Sequence, residues 1–138
     1  MICRWIIGAV VCATSASADY RLALTDLGKR EYYCTITVEL TNEGDAALTE
    51  INAFFLNFIG DTQVGRSKGA SFMNVEPSAT TSAVFETPNA PCTDTETQVE
   101  SYQMIIGACR VDGSFKDKSI CAERVILEAP FSSVNTLN

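Results

Sequence analysis

The side chains in this sequence that could do chemistry are a glycine-framed serine, a run of carboxylates, two groups of cations and a set of cysteines. Gly65-Arg66-Ser67-Lys68-Gly69 has the G-x-S-x-G spacing of a nucleophile elbow. An elbow serine needs an imidazole to take its proton, and the chain has no histidine. Lys68 would serve as a base only where something depresses its pKa. Ser67 is therefore read as a loop residue, with a small hydrolase as a remote alternative. Asp94, Glu96 and Glu100 fall on one side of an extended stretch. Calcium takes about six to eight oxygen ligands and a wrapped loop, so a solvated strand face is the preferred reading of these acids. Zinc would need histidine or free thiolate. No metal and no cofactor is expected.

The cations are candidates for contact with a partner. Arg66 and Lys68 stand two apart, which on a strand puts both on one face. There they could meet a carboxylate or phosphate, although charged protection of a sheet edge is the plainer role. Arg110, Lys116 and Lys118 frame a second exposed segment, 110–118, built around the turn signal Asp112-Gly113.

Cysteine use and the N-terminus give the address. Arg4, the apolar run Trp5 to Ala13 and the A-x-A pattern ending at Ala18 make residues 1–18 a cleaved secretory signal, with Asp19 as the mature N-terminus. The run is too short for a spanning helix, which takes roughly 20 apolar residues. Of the six cysteines, Cys3 and Cys12 leave with the signal. Cys34, Cys92, Cys109 and Cys121 remain, an even set in an exported chain, which reads as two disulfides. Losing Arg4 takes the formal charge from −7 to −8. So acidic a surface argues against nucleic acid or an anionic membrane as partner, and no membrane insertion is expected after cleavage. The chain is read as periplasmic or secreted.

The elements that must position these groups are short strands. Tyr20–Leu24 alternates and reads as an edge strand, with Asp26–Glu31 as a charged connector. Cys34–Thr41 has period two, with Cys34, Ile36, Val38 and Leu40 on one face. Asn42–Asp45 is a turn. Leu48–Ile59 is apolar on both faces, so it is a central strand covered on two sides or a bulged one. Gly60-Asp61 turns the chain, 63–68 returns it, and strands follow at 69–75 and 80–86 around the turn Glu76-Pro77-Ser78. Thr87–Pro91 is a crossing loop. Strands at Val99–Cys109 and Ile120–Glu128 complete the set. The fold class is all-β: an immunoglobulin-like or fibronectin-like antiparallel β-sandwich of seven to eight strands. The single domain is residues 19–130, with a polar, frayed tail at 131–138.

Strand direction selects the cysteine pairing. In an up-and-down sandwich, Cys34 and Cys92 meet at one end, and Cys109 and Cys121, at the end and start of consecutive strands, meet at the other. Cys34 and Cys109 would lie on the order of 20 Å apart, beyond the roughly 7 Å limit for bridged Cα atoms. The pairs are therefore Cys34–Cys92 and Cys109–Cys121.

Thr41-Asn42-Glu43-Gly44, Ile51-Asn52-Ala53-Phe54-Phe55, Gly60, Val64-Gly65, Val75-Glu76-Pro77 and Val84-Phe85 together resemble the FxLYD-type bacterial Ig-like domains over about half the chain. The resemblance implies an Ig-like sandwich and brings no catalytic residues. Ser78 departs from it, standing where such turns usually have glycine, and the cysteine-bearing second half lies outside it. The functional expectation is an exported, non-enzymatic binding or accessory module with an unknown protein partner. The alternative is a secreted inhibitor or effector acting through 110–118.

Overall fold

The computed structural model describes residues 2–6, 9–13, 19–88, 92 and 97–138, the first two stretches as backbone alone. Strands β1 (Ile2–Ile6) and β2 (Ala9–Ala13) pair antiparallel in a two-stranded sheet of their own. The cleavage-site residues 14–18 lie outside the described residues.

From Asp19 onward the described chain is all-β, in two sheets around one core. The four-stranded sheet has the order β11-β3-β4-β8, from β3 (Tyr20–Arg30), β4 (Tyr33–Asn42), β8 (Thr80–Pro88) and β11 (Val125–Ile126). The six-stranded sheet centres on β5 (Leu48–Ile59) and β9 (Ser101–Val111). On the free side of β5 lie β6 (Thr62–Arg66) and β7 (Ala70–Val75); β10 (Ser114–Phe115) and β12 (Phe131–Thr136) lie against β9. A six-residue helix, α1 (Lys118–Glu123), is the one helix among the described residues.

The period-two pattern of β4 is realised as read: Ile36, Val38 and Leu40 are buried, while Thr35, Thr37 and Glu39 are only partly covered. β5 is both covered and bulged, with register shifts against β9 between Leu48 and Glu50 and between Asn52 and Ala53. Its inward Phe55 centres an aromatic cluster. Phe85 meets it edge-on at 4.7 Å between ring centroids, and Phe131 lies at 5.4 Å. Such contacts add to area burial and fix ring orientation, which helps one packing prevail over others.

One polar residue ties the sheets together. Asn42 is fully buried; its Nδ2 donates to the carbonyls of Ala46 and Val75, and its Oδ1 accepts from the Gly44 N–H. Its own N–H donates to Ala79 O and its carbonyl accepts from the Ser78 N–H, so the 42–46 and 76–79 turns are locked to each other. Ser78 holds this corner at φ +67°, the left-handed backbone that glycine serves elsewhere.

The structure departs from the sequence reading in four places. Asp26–Glu31 is no connector: a bulge between Leu24 and Asp26 lets β3 run on to Arg30, because Leu27 still packs on the core. Thr87-Pro88 continues β8, and 89–91 lie outside the described residues. Ile120–Glu128 is helix α1 followed by the two-residue β11. Asp117 caps the helix, its carboxylate accepting from the Ser119 N–H at 2.9 Å. The 131–138 tail is strand β12, held by Phe131, which is 5% exposed. β11 and β12 run parallel to β3 and β9, so the sandwich is not antiparallel throughout. Its strand count exceeds the expected seven to eight through the short β10 and β11 and the recruited β12.

Candidate functional site

Both disulfides form as the sequence reading paired them. Cys34–Cys92 has Cα atoms 6.0 Å apart and Cys109–Cys121 has them 6.5 Å apart. Cys34 on β4 faces Thr87 near the end of β8, which brings Cys92 within reach. Cys121 projects from α1 rather than from the expected strand. Two bridges indicate an oxidising, extracellular-type environment. Among the described residues no helix is long and apolar enough to cross a membrane.

The Cys109–Cys121 bridge braces the 110–118 segment. β9 runs past Cys109 to Val111, and Asp112-Gly113 turns the chain with both φ angles positive, +49° and +77°. This conformation matches the twist of a two-residue hairpin and suits Asp-Gly. The Gly113 N–H donates to Thr49 Oγ1 at 2.7 Å, and the Lys116 N–H donates to the Cys109 carbonyl at 2.9 Å. Ser119 N–H, then Ser119 Oγ, hydrogen-bond the Asp117 carboxylate and hold its pKa below the usual aspartate value. The backbone of the segment is thus tied at its tip, its return and its exit.

On this frame stands Phe115, 75% exposed. The Arg110 guanidinium lies 5.1 Å from its ring centroid, and Nη2 reaches the Gly113 carbonyl. Arg110 Nε is buried without a hydrogen-bond partner. Lys118 Nζ donates to the Leu137 carbonyl at 2.6 Å, beside the part-exposed Ile120 and Leu137. Arg110, Lys116 and Lys118 were all legible as partner-contact candidates. Phe115 was missed, although a lone phenylalanine between a Gly turn and a lysine in a polar loop was the available signal.

Arg66 and Lys68 do not share a face. β6 ends at Arg66, whose guanidinium stacks 4.0 Å from the Phe54 ring centroid on β5 and so covers the outward apolar face of that strand. Lys68 crosses to the other sheet: its Nζ lies 4.4 Å from the Tyr33 ring centroid and 3.8 Å from Glu86 Oε2. Between them Ser67 is 4% exposed. Its N–H donates to the Phe55 carbonyl at 2.8 Å, and its hydroxyl accepts from the Phe55 N–H at 2.8 Å. The next N–H, that of Lys68, donates to Glu86 O on β8. The elbow-like pentapeptide is the break between β6 and β7, both paired with β5, at which one backbone bond reaches across to the other sheet.

Beneath the Cys34–Cys92 bridge lies an internal cavity of about 10 Å³, lined by Asn57, Thr87 and Tyr102 among others. That is room for one water. Asn57 Nδ2 donates to Thr87 Oγ1 at 3.1 Å, while its buried Oδ1 has no protein partner. Of the carboxylates considered for calcium, Asp94 and Glu96 lie outside the described residues; Glu100 Oε2 accepts from the Gly60 N–H at 2.9 Å. No group of three or more potential metal ligands occurs among the described residues.

Compared with known proteins, the chain matches no family model, no curated protein and no solved structure.

Proposed function

We propose that this chain is an exported, non-enzymatic binding or accessory module, periplasmic or secreted, that docks on a protein partner through the braced 110–118 segment. The export reading is supported by the signal-like N-terminus, by the two disulfides, and by β1 and β2 pairing only with each other among the described strands. The order β3-β4-β8 facing β9-β5-β6 supports an immunoglobulin-like arrangement.

The observation that carries the docking surface is Phe115. A ring left three-quarters in water, with a guanidinium against it and a backbone already ordered, loses little conformational entropy when a partner covers it. Aromatic and arginine side chains of this kind anchor interfaces more often than other types. Arg110, Lys116 and Lys118 specify a partner with an apolar pocket rimmed by carboxylates. The test is cross-linking in the producing cell with wild type and with the triple variant Phe115→Ser/Lys116→Glu/Lys118→Glu. A discrete adduct with wild type that the variant loses, at equal thermal stability, supports the reading. An adduct profile unchanged by the variant overturns it.

The same tying of the segment at tip and exit favours one second reading, an inhibitor or effector that presents 110–118 to a target enzyme. Saturable inhibition of an envelope or host protease, abolished by Phe115→Ser, would select it.

A further inference from the structure

We propose that cleavage after Ala18 creates a structural charge site: the new α-ammonium of Asp19 seats in an acidic corner of the sandwich and completes its charge balance. The proposal rests on the export reading above. Its physical basis is that the nitrogen which cleavage would convert is already fixed. The Asp19 N–H donates to the Arg124 carbonyl at 2.8 Å, and the Tyr20 N–H shares that acceptor at 3.0 Å. The Asp19 carbonyl accepts from the Glu43 N–H, and Asp19 Oδ2 accepts from Arg124 Nη1 at 3.1 Å. Asp19 is only 7% exposed. The first residue that the cleavage pattern leaves on the chain is therefore locked between the 42–46 turn and the end of α1.

Gly44 makes room for this arrangement. A Cβ there would lie 2.9 Å from Asp19 Cγ, so any larger residue would push the carboxylate out. The depression beside the nitrogen is lined by Asp19, Glu43, Asp45 and Arg124 together with Gly44 and Ala46. The neighbouring charges are unequal. Arg21 is shared between Glu43 at 2.7 Å and Glu128 at 2.6 Å, and Arg124 holds Asp19. Asp45 is left over at this corner, and Asp112 acts on the adjacent Tyr20 phenol, which stays neutral. In the uncleaved chain the Asp19 nitrogen is a neutral amide with one hydrogen. After cleavage it carries a positive charge and three donors, one for Arg124 O and two for the acidic depression.

The charge linkage has a definite sign. Carboxylates around an ammonium raise its pKa in the folded state. Its stabilisation is then full below the ordinary α-amino pKa of about 8 and is lost as pH rises through the raised folded value.

Mass spectrometry of the protein from the producing cell first establishes its N-terminus; an uncleaved chain overturns the export reading, and a cleaved chain starting anywhere but Asp19 overturns the physiological proposal alone. Independently, full-length mature protein is prepared in three forms: starting at Asp19, starting at Ala18, and starting at Asp19 with the α-amine acetylated. The α-amino pKa is read by NMR and the urea midpoint is followed from neutral to alkaline pH. The Asp19 form should show an α-amino pKa raised by about one unit, returning towards the ordinary value in Glu43→Gln/Asp45→Asn. It should also show a higher midpoint than the acetylated form, the difference vanishing at alkaline pH. An ordinary α-amino pKa in the Asp19 form, or midpoints that track the acetylated form at every pH, overturns the charge site even where the cleavage position is confirmed.

Discussion

Ser67 shows how residue type and residue role separate. Its flanking glycines and cations are those of a reactive loop, yet its hydroxyl substitutes for a missing strand neighbour, accepting the Phe55 N–H at 2.8 Å and donating to the Lys68 carbonyl at 3.0 Å. Substituting Ser67→Ala leaves the Phe55 N–H unpaired in the interior, which costs about 1–3 kcal/mol. Urea denaturation should show that loss with an unchanged slope; an unchanged midpoint would mean that the hydroxyl carries no structural load. Asn42 plays the corresponding part at the far end of β5, and there the sequence signal was only that of a turn. A side chain that substitutes for backbone cannot be told from a loop residue without knowing which backbone groups would otherwise go unpaired.

At the level of elements, the C-terminal quarter of the domain departs furthest from the pattern expected of it. Ile120–Glu128 has the apolar content of a strand, but Asp117 caps a helix turn and Cys121 pins that turn to β9. The polar stretch after Pro130 becomes β12 because one residue, Phe131, reaches the Phe55–Tyr102 cluster while Ser132 and Asn135 stay at the surface. Ending the chain at Pro130 therefore removes a core aromatic, a loss of about 3–5 kcal/mol before any strand pairing is counted. The truncated protein should lose near-UV circular dichroism and resist proteolysis far less; a truncation as stable as the full domain would contradict the role of β12. The bridges differ in the loop they close, 58 residues apart for Cys34–Cys92 and 12 for Cys109–Cys121. On chain entropy alone, removing them by paired serine substitution costs about 4 and about 3 kcal/mol. The second removal should in addition loosen 110–118, seen as faster amide exchange at Lys116. β4 and β8 were legible because alternation over five or more residues is a strong local signal, and β5 because a long apolar run bounded by turns is another. α1, β11 and β12 were not, since each is short and is held by contacts to residues far away in the sequence.

Taken as a whole, the domain is an acidic sandwich with two phenols in its interior. Burial, chiefly, raises the pKa values of Tyr20 and Tyr102. Each stays neutral in the fold while the unfolded chain ionises, so stability should hold through neutrality and fall above about pH 10 by up to about 1.4 kcal/mol per pH unit per tyrosine. The double variant Tyr20→Phe/Tyr102→Phe should flatten that alkaline slope; an unchanged slope would place the sensitivity elsewhere. Composition and period by themselves determined the all-β class, the oxidising environment implied by paired cysteines, and the Cys34–Cys92 partnership, because alternation and strand length act locally and bound what can meet. Only the tertiary structure decided that Arg66 and Lys68 part to opposite sheets, that the tail is a strand, and that Phe115 rather than Phe54 meets solvent. Those outcomes depend on which surfaces the second sheet covers, and that is a property of the packed whole, absent from any window of the chain.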